Sequence, residues 1–179
     1  MKKDGKGGDS TGTGLRFEGK VDFLTLIEEV PGYTIRKALV GKEILFENRV
    51  YATCFKKYKF YEYLKNEGVK WNDLISKRLL PDDAILVICS GTLFIIEVKY
   101  QQVEGSVDEK LQTCDFKLKQ YTKLVSPLNL KVEYLYVLND WFKKPGYKDV
   151  LDYIISVGCH YEFNELPLAR LGLPTKEEA

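Results

Sequence analysis

A chain of 179 residues is long enough for one domain with a sizeable core, and 45% hydrophobic with 30% charged residues is the make-up of a soluble globular protein. No apolar run approaches the ~20 residues needed to cross a bilayer, and the opening MKKDGKGGDSTGTG has no apolar stretch of the secretory kind, so neither a membrane span nor a signal peptide is expected. A net charge of +1 excludes a bulk polycation, so any contact with nucleic acid must come from local patches.

Cys54, Cys89, Cys114 and Cys159 are widely spaced with no CxxC pair, as expected of reduced thiols in a cytoplasmic protein. The single histidine, His160, argues against histidine-rich zinc sites and against nucleases built on paired histidines; it is expected at a strand start.

Residues 1–14, rich in Gly, Lys and Asp, are expected to be a flexible segment ahead of a single domain over 15–179. Phe17, Val21, Leu24 and Ile27 recur at helical spacing and predict a helix from about Leu15 to Val30, stopped by Pro31-Gly32. Short strands are expected in YTIRKALV, KEILF and VYATCF, the last two meeting around Glu47-Asn48-Arg49. KYKFYEYLKNEG predicts a helix ending at Gly68, and WNDLISKR a further short one. Ala84–Cys89 and Thr92–Tyr100 are rich in β-branched and aromatic residues and flank Ser90-Gly91, which suits a two-residue turn, so an antiparallel hairpin is expected.

Ser106 with Glu109 forms a capping box, and Val107, Leu111, Cys114, Leu118, Tyr121 and Val125 mark one stripe of a helix over 107–125. KVEYLYVLND predicts a strand, KKPGYKDVLDYIISVG a helix closed by Gly158, and HYEFNELP a last strand. A strand–helix–strand connection of this kind makes its two strands parallel. The expected fold is therefore α/β, a central mixed sheet flanked by helices.

Glu97 and Lys99 end a very apolar run, Leu93-Phe94-Ile95-Ile96. Alternation along a strand puts both on one face, ~7 Å apart, with Phe94, Ile96 and Val98 on the other. Buried charge is costly unless paired or bound to a metal. Folding the hairpin about Ser90-Gly91 brings Asp82 and Asp83 beside them. Two carboxylates and a backbone carbonyl form a hard-oxygen site suited to Mg²⁺, and an adjacent lysine can orient a water, a set that fits metal-assisted phosphodiester hydrolysis.

Pro81-Asp82, a hairpin and Glu97-Val98-Lys99 resemble the signature of the PD-(D/E)XK nuclease superfamily. GLRFEGKVDFL supplies Glu18 on the preceding predicted helix, and the helix and parallel strand that follow the motif fit the same core over residues 15–163. The resemblance implies a restriction-endonuclease-like core and a magnesium-dependent endodeoxyribonuclease in which Mn²⁺ can substitute. It implies Glu97, the Val98 carbonyl and one of Asp82 or Asp83 as metal ligands, Lys99 as the group that positions water and stabilises phosphate charge, and Glu18 at a second metal or a metal-bound water. Literal motif order and the two-residue turn favour Asp82; a one-residue bulge, or a ligand leading directly into the apolar strand, favours Asp83. Gln101, Gln102, Lys110, Gln112, Lys117 and Gln120 would line the approach of double-stranded DNA. Lys56, Lys57 and Lys59, interleaved with Tyr58, Phe60, Tyr61 and Tyr63, form a basic cluster, and residues 33–78 are the natural place for DNA recognition. The first expectation is a site-specific type II restriction endonuclease or its catalytic subunit, acting as a homodimer or with a partner subunit because one active site cuts one strand. A Holliday-junction resolvase or repair nuclease of the same fold is the alternative, and a catalytically inactive DNA- or protein-binding module is the reading from another class.

Overall fold

The computed structural model describes residues 13–17, 22–80, 84–103 and 107–175. In chain order these form β1 (Gly14–Arg16), α1 (Phe23–Glu29), β2 (Tyr33–Lys37), β3 (Lys42–Phe46), β4 (Arg49–Phe55), α2 (Lys59–Asn66), β5 (Ala84–Cys89), β6 (Thr92–Lys99), α3 (Val107–Leu111), α4 (Cys114–Val125), β7 (Lys131–Leu138), α5 (Lys148–Ser156), β8 (His160–Phe163) and β9 (Glu165–Pro167). Seven strands make one sheet in the order β2-β3-β4-β5-β6-β7-β8, while β1 and β9 pair separately. The fold is α/β with a mixed central sheet flanked by helices.

Strands β2 to β6 run antiparallel, and β6, β7 and β8 are parallel. Two of the hairpins turn on a residue pair with positive φ, Glu47-Asn48 (47° and 66°) and Ser90-Gly91 (48° and 74°), the left-handed pair that matches strand twist. The β5–β6 ladder is regular from Ala84↔Glu97 to Cys89↔Thr92, so it has no bulge across that span. A register shift does occur between Ile44 and Leu45, in the β3–β4 pair.

Alternation along the strands divides the core. Val87, Phe94, Ile96, Leu135 and Val137 pack with α1, β1 and β9 on one face. Leu86, Leu93, Ile95, Tyr134, Tyr136 and Leu138 pack with the four other helices on the opposite face. His160 opens β8, as expected.

Three expectations are corrected or refined. The helix expected from Leu15 is confined to Phe23–Glu29, and Leu15 instead lies in strand β1 opposite Leu166, completely buried. Backbone pairing with β9 wins there, continued by a 2.9 Å bond from the Phe17 N–H to the Asn164 carbonyl; Leu15, Arg16 and Phe17 alternate in burial, a two-residue period hidden beneath the helical spacing of Phe17 and Leu24. The helix expected over 107–125 breaks at Gln112-Thr113, where the Thr113 hydroxyl donates to the Lys110 carbonyl at 2.8 Å. The second half of WNDLISKR is not helical; only Trp71–Asp73 makes a short 3-10 turn. The capping pair at Ser106 lies outside the described residues, as do Val21 of the first stripe and residues 1–12 of the expected flexible segment, whose Gly14 opens β1.

Leu15→Ala should cost about 2–5 kcal/mol in urea unfolding, the range for emptying a packed core site. A cost below about 1 kcal/mol would mean that the β1–β9 ribbon does not hold Leu15 in the core.

Candidate active site

Strand β6 lies where the sheet changes from antiparallel to parallel, between β5 and β7. Glu97 is the second acidic or basic side chain from its end and is fully buried, on the helix-facing side with Leu93 and Ile95. A carboxylate placed there alone would be very unfavourable. Three groups from three elements compensate it. The Lys117 ammonium, reaching down from α4, lies 2.6 Å from Glu97 Oε1, and the Lys99 ammonium lies 3.0 Å from Oε2. The Tyr134 hydroxyl of β7 donates a short hydrogen bond to Oε1. Both lysines are largely shielded, with side chains 13% and 21% exposed for Lys99 and Lys117, so these pairs are screened far less than surface ones.

Burial pushes the Glu97 carboxyl up, but Lys99 and Lys117 together with the Tyr134 hydroxyl outweigh it and hold the group below the usual glutamate range. Burial, and then the neighbouring Glu97 charge, raise Tyr134, which stays a protonated donor. Tyr136 stands opposite Glu97 in the parallel ladder, and its hydroxyl donates to the Lys110 and Leu111 carbonyls at 3.3 and 3.2 Å. That contact fastens the end of α3 to β7.

Beyond β6 the chain is stapled to the end of β7. The Gln101 N–H donates to Asn139 Oδ1 at 3.2 Å, Asn139 Nδ2 donates to the Gln101 carbonyl at 2.8 Å, and the Asn139 N–H donates to the Lys99 carbonyl at 3.3 Å. The Gln101 side chain is buried, and neither of its amide atoms has a hydrogen-bond partner. Glu97 Oε2 likewise accepts no aligned hydrogen bond. The Lys99 ammonium is close enough to Oε2 for charge pairing, but the geometry leaves an oxygen lone pair unengaged. Buried polar atoms in this condition are uncommon and mark a place where a ligand or water completes the site.

Of the expected site residues, Glu97, Val98, Lys99 and Gln101 fall together at the end of β6, and Lys117 joins them. Lys117 is a carboxylate partner rather than part of an open DNA approach. Gln102 is exposed and donates to the Tyr100 hydroxyl at 3.0 Å. Lys110 and Gln112 are exposed around the α3–α4 break, and Gln120 is half-buried. Lys56 pairs with Asp22 at 2.9 Å and Lys59 with Glu62 at 2.7 Å, while Lys57 is exposed. Asp82, Asp83 and Glu18 lie outside the described residues. Tyr134 is a site residue the sequence reading missed; a Tyr-x-Tyr pair on a strand buried on both faces signals hydroxyls that must find partners. Lys117 signalled its role by spacing, three residues after Cys114 and four before Tyr121, on the flank of the buried stripe.

Among the described residues no group of three or more His, Cys, Asp or Glu side chains could hold a metal ion. Glu97 therefore offers one hard oxygen of the right chemistry for Mg²⁺, and further carboxylate ligands would have to come from beyond the described residues. No helix among the described residues is long and apolar enough to cross a membrane. Comparison of the chain with protein-family models, with curated proteins and with solved structures found no match.

Lys117→Met should lower stability by about 1–3 kcal/mol near neutral pH, less than the ~3–5 kcal/mol of an entirely unpaired buried charge because Lys99 remains. The loss should show in urea unfolding with an unchanged m-value. The lowered Glu97 pKa gives this pairing a definite pH dependence. Its stabilisation is complete above the ordinary glutamate range and disappears as pH falls through the lower folded value. The gap between wild type and Lys117→Met should therefore narrow in acid; a gap that widens there would contradict a charged Glu97.

Proposed function

We propose that the chain is a metal-dependent DNA endonuclease of the PD-(D/E)XK type, with Glu97 and Lys99 at its active centre. The supporting observation is the fully buried Glu97, kept ionised by Lys99 and Lys117 at the end of a strand flanked by an antiparallel hairpin partner and a parallel crossover partner. An ionised carboxylate so deep in a core is unfavourable for stability alone, and such perturbed groups concentrate at functional sites. The mixed sheet and the crossover through α3 and α4 agree with the core that the Glu97-Val98-Lys99 motif suggests.

Mg²⁺ held by Glu97, the Val98 carbonyl and Asp82 or Asp83 would supply Lewis-acid stabilisation of charge on the phosphate. Lys99 orients the attacking water and offsets negative charge as phosphorus bonds to the water oxygen and releases the ribose oxygen. Lys117 and Tyr134 act on Glu97, fixing its rotamer. The preferred activity is site-specific cleavage of double-stranded DNA as a restriction endonuclease or its catalytic subunit, with a second protomer or a partner cutting the other strand. A resolvase or repair nuclease would use the same centre.

A second reading has its own support. Two lysines and a tyrosine already satisfy most of the Glu97 charge, as they would in an inactive binding module whose old centre has become a structural cluster.

Plasmid cleavage separates the two. Wild type should nick or linearise DNA in Mg²⁺ or Mn²⁺ and stop in EDTA, and Glu97→Gln, similar in volume and folded, should be nearly inactive. Lys99→Ala should bind DNA in Ca²⁺ about as well as wild type but cut at least ~100-fold slower, since the lost group acts in the transition state. Lys99→Arg should not restore the rate. Full activity in EDTA, or a normal rate in Lys99→Ala, would remove the nuclease reading. Of Asp82→Asn and Asp83→Asn, one alone should abolish cleavage, because alternate strand positions face opposite ways; equal mild losses would exclude both as metal ligands.

A further inference from the structure

A second cationic feature lies on the helix side of the sheet, in the segment between α2 and β5. Arg78 is exposed, and its guanidinium carbon lies 4.7 Å from the Trp71 ring centroid, 5.5 Å from that of Tyr61 and 5.9 Å from that of Tyr58. Three rings thus hold a planar cation. Among the described residues no hydrogen bond or ion pair engages its N–H groups. An arginine stacked in this way is pre-organised, with its donor edge left for an outside acceptor.

The surrounding cavity, about 380 Å³, is lined by Arg78, Lys65 and Lys70 together with the three rings. Its one acidic side chain, Glu62, already has the Lys59 ammonium at 2.7 Å. Three cations facing one neutralised carboxylate select an anion. The fork geometry of arginine and the flat ring walls suit a phosphate carried on a nucleotide.

Its position relates the cavity to Glu97. The Tyr61 hydroxyl accepts from the Leu79 N–H at 2.7 Å and donates to the Leu79 carbonyl at 3.2 Å, which fixes the cage to the segment leading into β5. Six residues separate Arg78 from Ala84, a chain length of at most ~22 Å, and Ala84 pairs with Glu97 across the ladder. On the same face, ring contacts run from Trp71 to Tyr61 (5.7 Å), to Phe60 (5.9 Å) and to Tyr121 (5.9 Å), one helical turn from Lys117.

We propose that this cage binds a backbone phosphate of the DNA on which the Glu97 site acts, within about eight base pairs of the scissile bond at ~3.4 Å per step. The proposal rests on the nuclease reading for the identity of the polymer. The contact is sequence-independent and sets the register of the duplex over Glu97 and Lys99.

The test is fluorescence anisotropy of a fluorescein-labelled duplex, longer than one helical turn, titrated with protein in Ca²⁺ across a salt series. Arg78→Ala should weaken binding by about tenfold and lower the salt slope by about one, the signature of one lost phosphate contact. Arg78→Lys should restore only part of the affinity, because the ammonium lacks the planar fork. Thermal unfolding should be unchanged, since Arg78 is exposed. Cleavage in Mg²⁺ with unaltered affinity in Arg78→Ala would overturn the cage and leave the nuclease reading intact. Arg78-dependent affinity without any cleavage would support the cage and overturn the nuclease reading. No binding of the duplex by wild type, or a Trp71 emission change with inorganic phosphate while duplex affinity ignores Arg78, would overturn the proposal.

Discussion

The placement of one negative charge in the core at Glu97 constrains much of what surrounds it. A carboxylate with no exposure needs counter-charge and hydrogen bonds, and no single element supplies them. Lys99 comes from the same strand, Tyr134 from the parallel neighbour and Lys117 from the helix between them. Meeting that demand fixes the β6–β7 register and the seat of α4 on the sheet, because a one-residue slip of β7 would turn the Tyr134 hydroxyl to the other face.

The sheet makes such a site possible through its change of direction. The β5–β6 hairpin needs only two residues to turn, whereas the parallel step from β6 to β7 must travel back along the sheet and brings two helices with it. A helix that returns over the strand it has just left can drop a long side chain onto that strand, as Lys117 does. The Asn139 staple then holds the chain beyond β6 against the end of β7, so that Lys99 and the buried Gln101 lie on fixed backbone rather than on a loose loop. Rigid support of this kind is what a reacting geometry requires.

The elements most legible in the sequence were those whose patterns are local. The Ser90-Gly91 hairpin, the helix ending at Gly68 and the parallel β7 each follow from a turn residue or a periodic run, and each is found. Leu15 was misread because its environment is made by β9, some 150 residues away in the chain, and no local spacing records a partner that distant. The break at Thr113 was hidden because the apolar stripe continues in phase through it, from Leu111 to Cys114. At the site, Glu97 and Lys99 were visible from alternation alone. Lys117 looked like one of many surface lysines, since what distinguishes it is the depth to which α4 seats it over the sheet.

The functional account depends on Glu97 serving as a metal ligand and not merely as a buried charge held by lysines. Isothermal titration of wild type and Glu97→Gln with Ca²⁺ and with Mg²⁺, in the absence of DNA, addresses this directly. Wild type should give a saturable heat for both cations, and Glu97→Gln should lose it while keeping a cooperative unfolding transition. Identical heats in the two proteins, or no saturable binding by wild type, would contradict the assignment of Glu97 to a metal centre.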